Sequence, residues 1–146
     1  MDKALNYVAL ARKAGRIELG EEPVGAAARA QKARLVIVAE DASGHTWRRA
    51  LSFVAGTQHQ CIRVPYTKDD MGLVVGRSIL AIGAFTDAAL ALAFVRALNQ
   101  PEKYRDVLES LDKRAQRIRQ HQQEEKAHQR NKRFGKARSK TDQQKQ

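Results

Sequence analysis

Five consecutive apolar residues, Leu35-Val36-Ile37-Val38-Ala39, constrain this chain more than any other feature. A run this short and this rich in β-branched residues is a strand, not a helix. An uninterrupted apolar strand has no polar face to offer water, so it must be covered on both sides. Its neighbours can supply the covers. Residues 2–14 put Ala4, Leu5, Val8 and Ala11 on one helical face beside Tyr7, with Asp2 as cap and Gly15 as terminator. A second helix is expected from Gly20 to about Gln31, with Pro23 in its first turn and a core stripe of Val24, Ala27 and Ala28. Glu40-Asp41-Ala42-Ser43-Gly44 ends the apolar strand and offers Asp41 or Ser43 as cap for a helix through about Ala55.

The same alternation continues on either side. Ile17-Glu18-Leu19 reads as a very short strand, and Gln60 to Val64 as another, closed by Pro65. Asp69 and Asp70 are expected to cap a short helix that Gly76 ends. Ile79 to Phe85 reads as the last strand, after which Asp87 caps a helix through Leu98. Short strands alternating with helices predict an α/β fold: a three-layer α/β/α sandwich with a small mixed sheet. A C-terminal helix follows, in which Tyr104, Leu108, Leu111, Ala115 and Ile118 form one apolar seam. That seam is expected to pack on the domain.

Charge is distributed unevenly along the 146 residues, whose formal net charge is +11. Residues 1–100 hold 13 basic and 9 acidic side chains, whereas 113–146 hold 12 and 3. The latter stretch has only Ala115, Ile118, Ala127, Phe134 and Ala137 as apolar residues, too few to offset the entropy of ordering it. The expected organisation is a domain over 1–100, an amphipathic helix over 101–120 and a basic, mostly disordered tail over 121–146. A basic tail suits phosphate. The candidates for neutralising an RNA backbone are Lys113, Arg114, Arg117, Arg119, Arg130, Lys132, Arg133, Lys136, Arg138 and Lys140, with Phe134 placed to stack on a base.

Catalytic groupings are missing from the sequence. His45, His59, His121 and His128 are isolated, the single Cys61 sits inside an expected strand, and no phosphate-binding glycine loop is present. Glu21-Glu22, Glu40-Asp41 and Asp69-Asp70 each stand where a helix begins, which capping and the helix dipole explain. No enzyme activity, cofactor or metal is therefore expected. No apolar run is long enough for a membrane span, and Met1-Asp2-Lys3-Ala4 does not begin a secretory signal. A cytoplasmic setting without membrane contact is expected.

Three segments together resemble one family. They are Leu10-Ala11-Arg12-Lys13-Ala14-Gly15-Arg16-Ile17-Glu18-Leu19-Gly20, Leu35 through Ser43, and Met71-Gly72 with Gly76-Arg77 and Ile79 through Asp87. Their order and spacing are similar to the kink-turn RNA-binding ribosomal protein superfamily of the L-seven-Ae and L-thirty-e type, above all its small bacterial YlxQ-type members. The resemblance spans about residues 3–98. It implies an α/β/α sandwich that grips the bend of a kink-turn with the start of its second helix and the loop before its last strand. On this chain those positions are Gly20, Glu21, Glu22 and Arg29, with Gly76, Arg77 and Ser78 in the loop and Ser43 after the second strand. The family motif Gly-x-Asn-Glu-x-x-Lys reads here Gly20-Glu21-Glu22-Pro23-Val24-Gly25-Ala26, so only the glycine matches. An amide, an acceptor for guanine edges and a cation are replaced by Glu22, Pro23 and Ala26.

The expected function is non-enzymatic binding of structured RNA, either ribosomal RNA or the ribosome itself, by a protein that is monomeric when free. The alternative is a protein-interaction module that has lost kink-turn binding and docks a protein through the start of its second helix and the 104–118 seam. A third class is an RNA-delivering accessory to a separate catalytic subunit, since similar folds serve some RNA methyltransferases.

Overall fold

The computed structural model describes residues 2–130 in full and the backbone of 131–145. Its elements, in chain order, are α1 (Lys3–Lys13), β1 (Ile17–Leu19), α2 (Glu21–Arg29), β2 (Leu35–Val38), α3 (Gly44–Val54), β3 (Gln60–Arg63), α4 (Lys68–Val74), β4 (Ile82–Phe85), α5 (Ala88–Ala97) and α6 (Arg105–Lys145). The four strands form one mixed sheet in the order β1-β4-β2-β3. β2 and β3 run parallel, while β4 is antiparallel to both β1 and β2. Helices α2 and α3 pack together over one face of the sheet, and α1, α4 and α5 lie together against the other. The α/β/α sandwich and the small mixed sheet expected from the sequence are both present.

The Leu35–Ala39 run lies where its pattern requires. All five residues are fully buried, with helices on both faces of the strand. Leu5, Val8 and Ala11 of α1 close one layer of the core and Val24 of α2 closes the other, while Phe85 of β4 meets Phe94 of α5 at 5.2 Å between ring centroids. On α2 the buried set is Val24, Gly25 and Ala27, and Ala28 is only half-buried.

Local capping follows the sequence in part. Asp2 caps α1, Ser43 caps α3 and Asp87 caps α5. Asp41 has a different role: its carboxylate accepts the Lys68 N–H at 2.8 Å and ties two loops together. The cap of α4 is Thr67, not the expected Asp69 or Asp70. Asp70 completes a reciprocal capping box from the third helical position.

The last strand begins at Ile82, three residues later than the apolar pattern suggests. Ile79 is exposed because the segment before it turns back on α4: the Arg77 N–H reaches the Gly72 carbonyl, and the Leu80 N–H reaches that of Lys68. The chain divides into two compact units, Met1–Asp112 and Lys113–Gln146. Within the first, Tyr104, Val107 and Leu111 are buried, so Val107 enters a seam expected to use Leu108, which is half-buried. The Tyr104 hydroxyl donates to the Arg63 carbonyl at the end of β3. In the second unit every residue from Gln116 to Arg130 is exposed. The backbone over 121–145, expected to be mostly disordered, continues α6 as helix, and the side chains beyond Arg130 lie outside the described residues.

Candidate nucleic-acid interface

One end of the sheet collects the starts and turns of several elements. β1 leads through Gly20 into α2, and β4 begins beside it, with the Gly20 N–H donating to the Ile82 carbonyl at 3.0 Å. Gly20 is the residue before the helix, at φ 96°, a conformation that strains any residue with a Cβ. It makes no side-chain cap; Pro23 has no N–H and the Val24 N–H donates to the Gly20 carbonyl, so the N–H groups of Glu21 and Glu22 are the ones left for an external acceptor. The 76–79 turn, which precedes β4, lies alongside. A Cβ on Gly20 would sit 3.6 Å from an Arg77 guanidinium nitrogen. The two segments expected to touch RNA, far apart in sequence, thus meet through Gly20 and Arg77.

Close packing holds the turn in place. A Cβ on Gly72 would come within 2.8 Å of the Arg77 carbonyl oxygen and 2.9 Å of the Ile79 Cα, so only glycine lets α4 support the turn this closely. Leu73, which follows Gly72 on α4, and Ile79 in the turn are 79% and 55% exposed. Two large apolar side chains next to a cation and a bare helix start can meet both base faces and phosphate.

The carboxylates at this end are not equivalent. Glu21 is engaged by Arg49 of α3 at 2.6 Å, and the Arg49 guanidinium also lies 5.0 Å from the centre of the Phe53 ring. Glu22 is exposed and forms no ion pair among the described residues. Sequence reasoning misses Arg49 because the pair spans 28 positions and depends on how α2 packs on α3. It misses Leu73 because nothing in the residue's position on α4 signals that it faces outward.

Other candidate residues are placed elsewhere. Arg29 closes α2, about 12 Å along its axis from Glu21. Ser43 is occupied as the cap of α3, accepting the Thr46 N–H. Gly76 and Ser78 belong to the exposed turn. Lys113, Arg117, Arg119 and Arg130 are exposed on α6, and Arg114 is half-buried there. Lys132, Arg133, Phe134, Lys136, Arg138 and Lys140 lie outside the described side chains.

Nearby, Asp2 and Tyr66 anchor α1 to the chain entering α4. The Tyr66 hydroxyl donates to the Asp2 carboxylate at 2.6 Å. That bond holds the Asp2 carboxyl below its ordinary range, and burial together with the same bond pushes the Tyr66 hydroxyl upward. Cys61 is half-buried, and its burial raises the thiol as well, which disfavours the reactive thiolate. Among the described residues no three His, Cys, Asp or Glu side chains converge as a metal site. None of the described helices is long and apolar enough to cross a membrane.

Comparison with solved structures decides the fold at this point. A protein of unknown function from Bacillus halodurans matches with a TM-score of 0.63 at 24% identity, over 68% of this chain and 100% of that one. A 15.5 kD RNA-binding protein of Giardia lamblia matches with a TM-score of 0.55 at 19% identity, over 69% of this chain and 86% of the other. This chain has their fold. No family model matches it, and no curated protein matches it significantly. The fold expected from the three sequence segments is therefore supported by structure where overall sequence similarity is weak.

Proposed function

We propose that this chain binds structured RNA and performs no chemistry on it. The meeting of Gly20 with Arg77 supports this reading most directly. It joins uncapped helix N–H donors, one cation and two exposed apolar side chains on a single edge, the combination needed for phosphates and splayed bases. Pairing with Arg49 offsets the charge of Glu21, while Glu22 beside it at the helix start forms no ion pair among the described residues. The fold shared with an RNA-binding protein of Giardia lamblia points the same way. The finer assignment, to a kink-turn in ribosomal RNA or to the ribosome, draws on the sequence resemblance. The basic residues beyond Asp112 would neutralise phosphates over a longer path.

For the competing protein-docking reading, Tyr104 and Leu111 of the 104–118 seam are buried, whereas Leu108 is half-buried and Ile118 exposed. Titration of the full chain with a kink-turn hairpin and with a plain duplex, at several salt concentrations, separates the two readings. Binding that weakens steeply with salt is expected. Changing Arg117, Arg119, Arg130, Lys132, Arg133, Lys136, Arg138 and Lys140 to Gln should flatten the logarithmic slope by several units, at about 0.7–0.9 for each phosphate no longer neutralised. Absence of salt-dependent binding to either RNA would overturn the proposal.

A further inference from the structure

The opposite end of the sheet carries a concentration of cations that the interface above does not use. β4 ends at Phe85, which is the register partner of both Ile17 in β1 and Leu35 in β2. The residues just before those two are Arg16 and Arg34. Their backbones are fixed on either side of the strand end. The Thr86 N–H donates to the Arg16 carbonyl at 2.9 Å, and the Arg34 N–H donates to the Phe85 carbonyl at 2.7 Å. Two strand spacings, about 10 Å, separate them. Arg12 and Lys13 end α1 just ahead of Arg16, and Lys32 lies just after the 30–31 turn, ahead of Arg34.

Arg12, Lys13, Arg16 and Lys32 are exposed and Arg34 is half-buried. None of the five forms an ion pair among the described residues. The carboxylates that the adjoining strands bring near are Glu18, in the middle of β1, and Asp87, which already accepts the Leu90 N–H at 3.0 Å. Complementing the α1 dipole accounts for Arg12 and Lys13. It does not account for Arg16, Lys32 and Arg34, which stand in the connections leading into β1 and β2. Gathering these charges raises self-repulsion in the free protein, and a polyanion relieves it. An acidic membrane would call for an apolar face beside the cations, yet Leu10 is the only large exposed apolar side chain on α1.

We propose that the Arg16–Arg34 end of the sheet is a second RNA-binding surface, which holds the phosphates of a segment separate from the one at Gly20 and Arg77. It deepens the RNA-binding reading and rests on it. The nine residues of α2 span about 13 Å between the two ends. One molecule therefore holds two stretches of the same folded RNA, one by shape and one by charge.

The test uses the full chain, a minimal kink-turn hairpin, and the same hairpin extended by flanking duplex. Lys13→Gln/Arg16→Gln/Arg34→Gln should weaken binding to the extended RNA at least about tenfold and flatten its salt slope by about 2–3 units. Affinity for the minimal hairpin should change far less. Arg77→Gln should weaken both RNAs, and thermal melting checks that each variant is folded. An independent pair, Arg12→Gln/Lys32→Gln, should act in the same direction as the triple variant. Wild-type affinity and slope for both sets on the extended RNA would overturn the second surface while leaving the RNA-binding reading intact. Failure of the wild type to bind either RNA would overturn that reading itself. Loss of binding to phosphatidylglycerol vesicles, with none on RNA, would assign the cations to a membrane and also overturn the proposal.

Discussion

At the Gly20 end of the sheet the chain places glycines, a bare helix start, two exposed apolar side chains and Arg77; at the Arg16 end it places five cations. The same four strands support both. One end depends on close backbone approach, so its surface has a defined shape. The other depends on long side chains that project from the end of α1 and from the connections into β1 and β2, so its surface has charge with little fixed form. Shape should give selectivity for a bent RNA and little salt dependence. Charge should give affinity for any phosphate chain, lost as salt rises. Perturbing one end at a time shows whether the other notices.

The largest effect is expected at Gly72. A methyl group there meets the backbone of Arg77 and Ile79, not a movable side chain. Overpacking of this kind costs up to about 3 kcal/mol, and the better helix propensity of Ala returns about 1. Gly72→Ala should therefore destabilise the fold by about 2 kcal/mol in denaturant unfolding and displace the 76–79 turn. Discrimination between kink-turn and plain duplex should fall, while the salt slope should be unchanged. Retained discrimination would mean that the turn does not read shape.

Much of this division is legible in the sequence, but not all. The Leu35–Ala39 run identifies the central strand because five consecutive apolar residues admit few other placements. The same logic misplaces the start of β4. Ile79 is as apolar as Ile82, and only the hydrogen bonds from Arg77 to Gly72 and from Leu80 to Lys68 turn it outward. Asp69 and Asp70 look like caps, yet Thr67 holds that position because a capping box uses both ends of the motif. The pairing of Glu21 with Arg49 leaves no local trace at all. Nor does the approach of Arg77 to Gly20, although each residue stands out by itself. Residue type and spacing report elements well. They report poorly on which elements touch, and a binding edge is made where elements touch.

The second prediction adds charge to the end that relies on shape. Glu22 and Ala26 are exposed one turn apart on α2, and Arg29 lies further along the same face. Replacing Glu22→Asn and Ala26→Lys together removes a repelling carboxylate and supplies a cation near the helix start. Restored charge-assisted hydrogen bonds should strengthen kink-turn binding about tenfold, or about 1.4 kcal/mol, in a calorimetric titration. Binding to plain duplex should rise less. An unchanged kink-turn affinity would indicate that this helix end faces a protein partner instead, as in the docking alternative.

The smallest effect concerns pH, which should separate the two ends because the Asp2–Tyr66 pair ties the Gly20 end. The Asp2 carboxyl sits below its ordinary value because it accepts from Tyr66, and the Tyr66 hydroxyl sits above its own because it is buried and donates to Asp2. A depressed carboxyl adds stability that is present above its ordinary value of 3.8 and is lost as pH falls through the lower, folded value. A raised phenol adds stability that is present below its ordinary value of 10.0 and is lost as pH rises through the higher, folded one. The pair should thus be fully effective from about pH 5 to 9 and weaken outside that window. Tyr66→Phe removes one hydrogen bond at the edge of the core, so the expected cost is about 1 kcal/mol in mid-range. Its stability profile should be flatter than that of the wild type at both extremes. RNA affinity at the Arg16 end, read as the salt slope on plain duplex at neutral pH, should not change. A change in that slope would mean that the anchoring of α1 at one end of the sheet is transmitted through the helix to Arg12 and Lys13 at the other, and the two ends would then have to be treated as one surface.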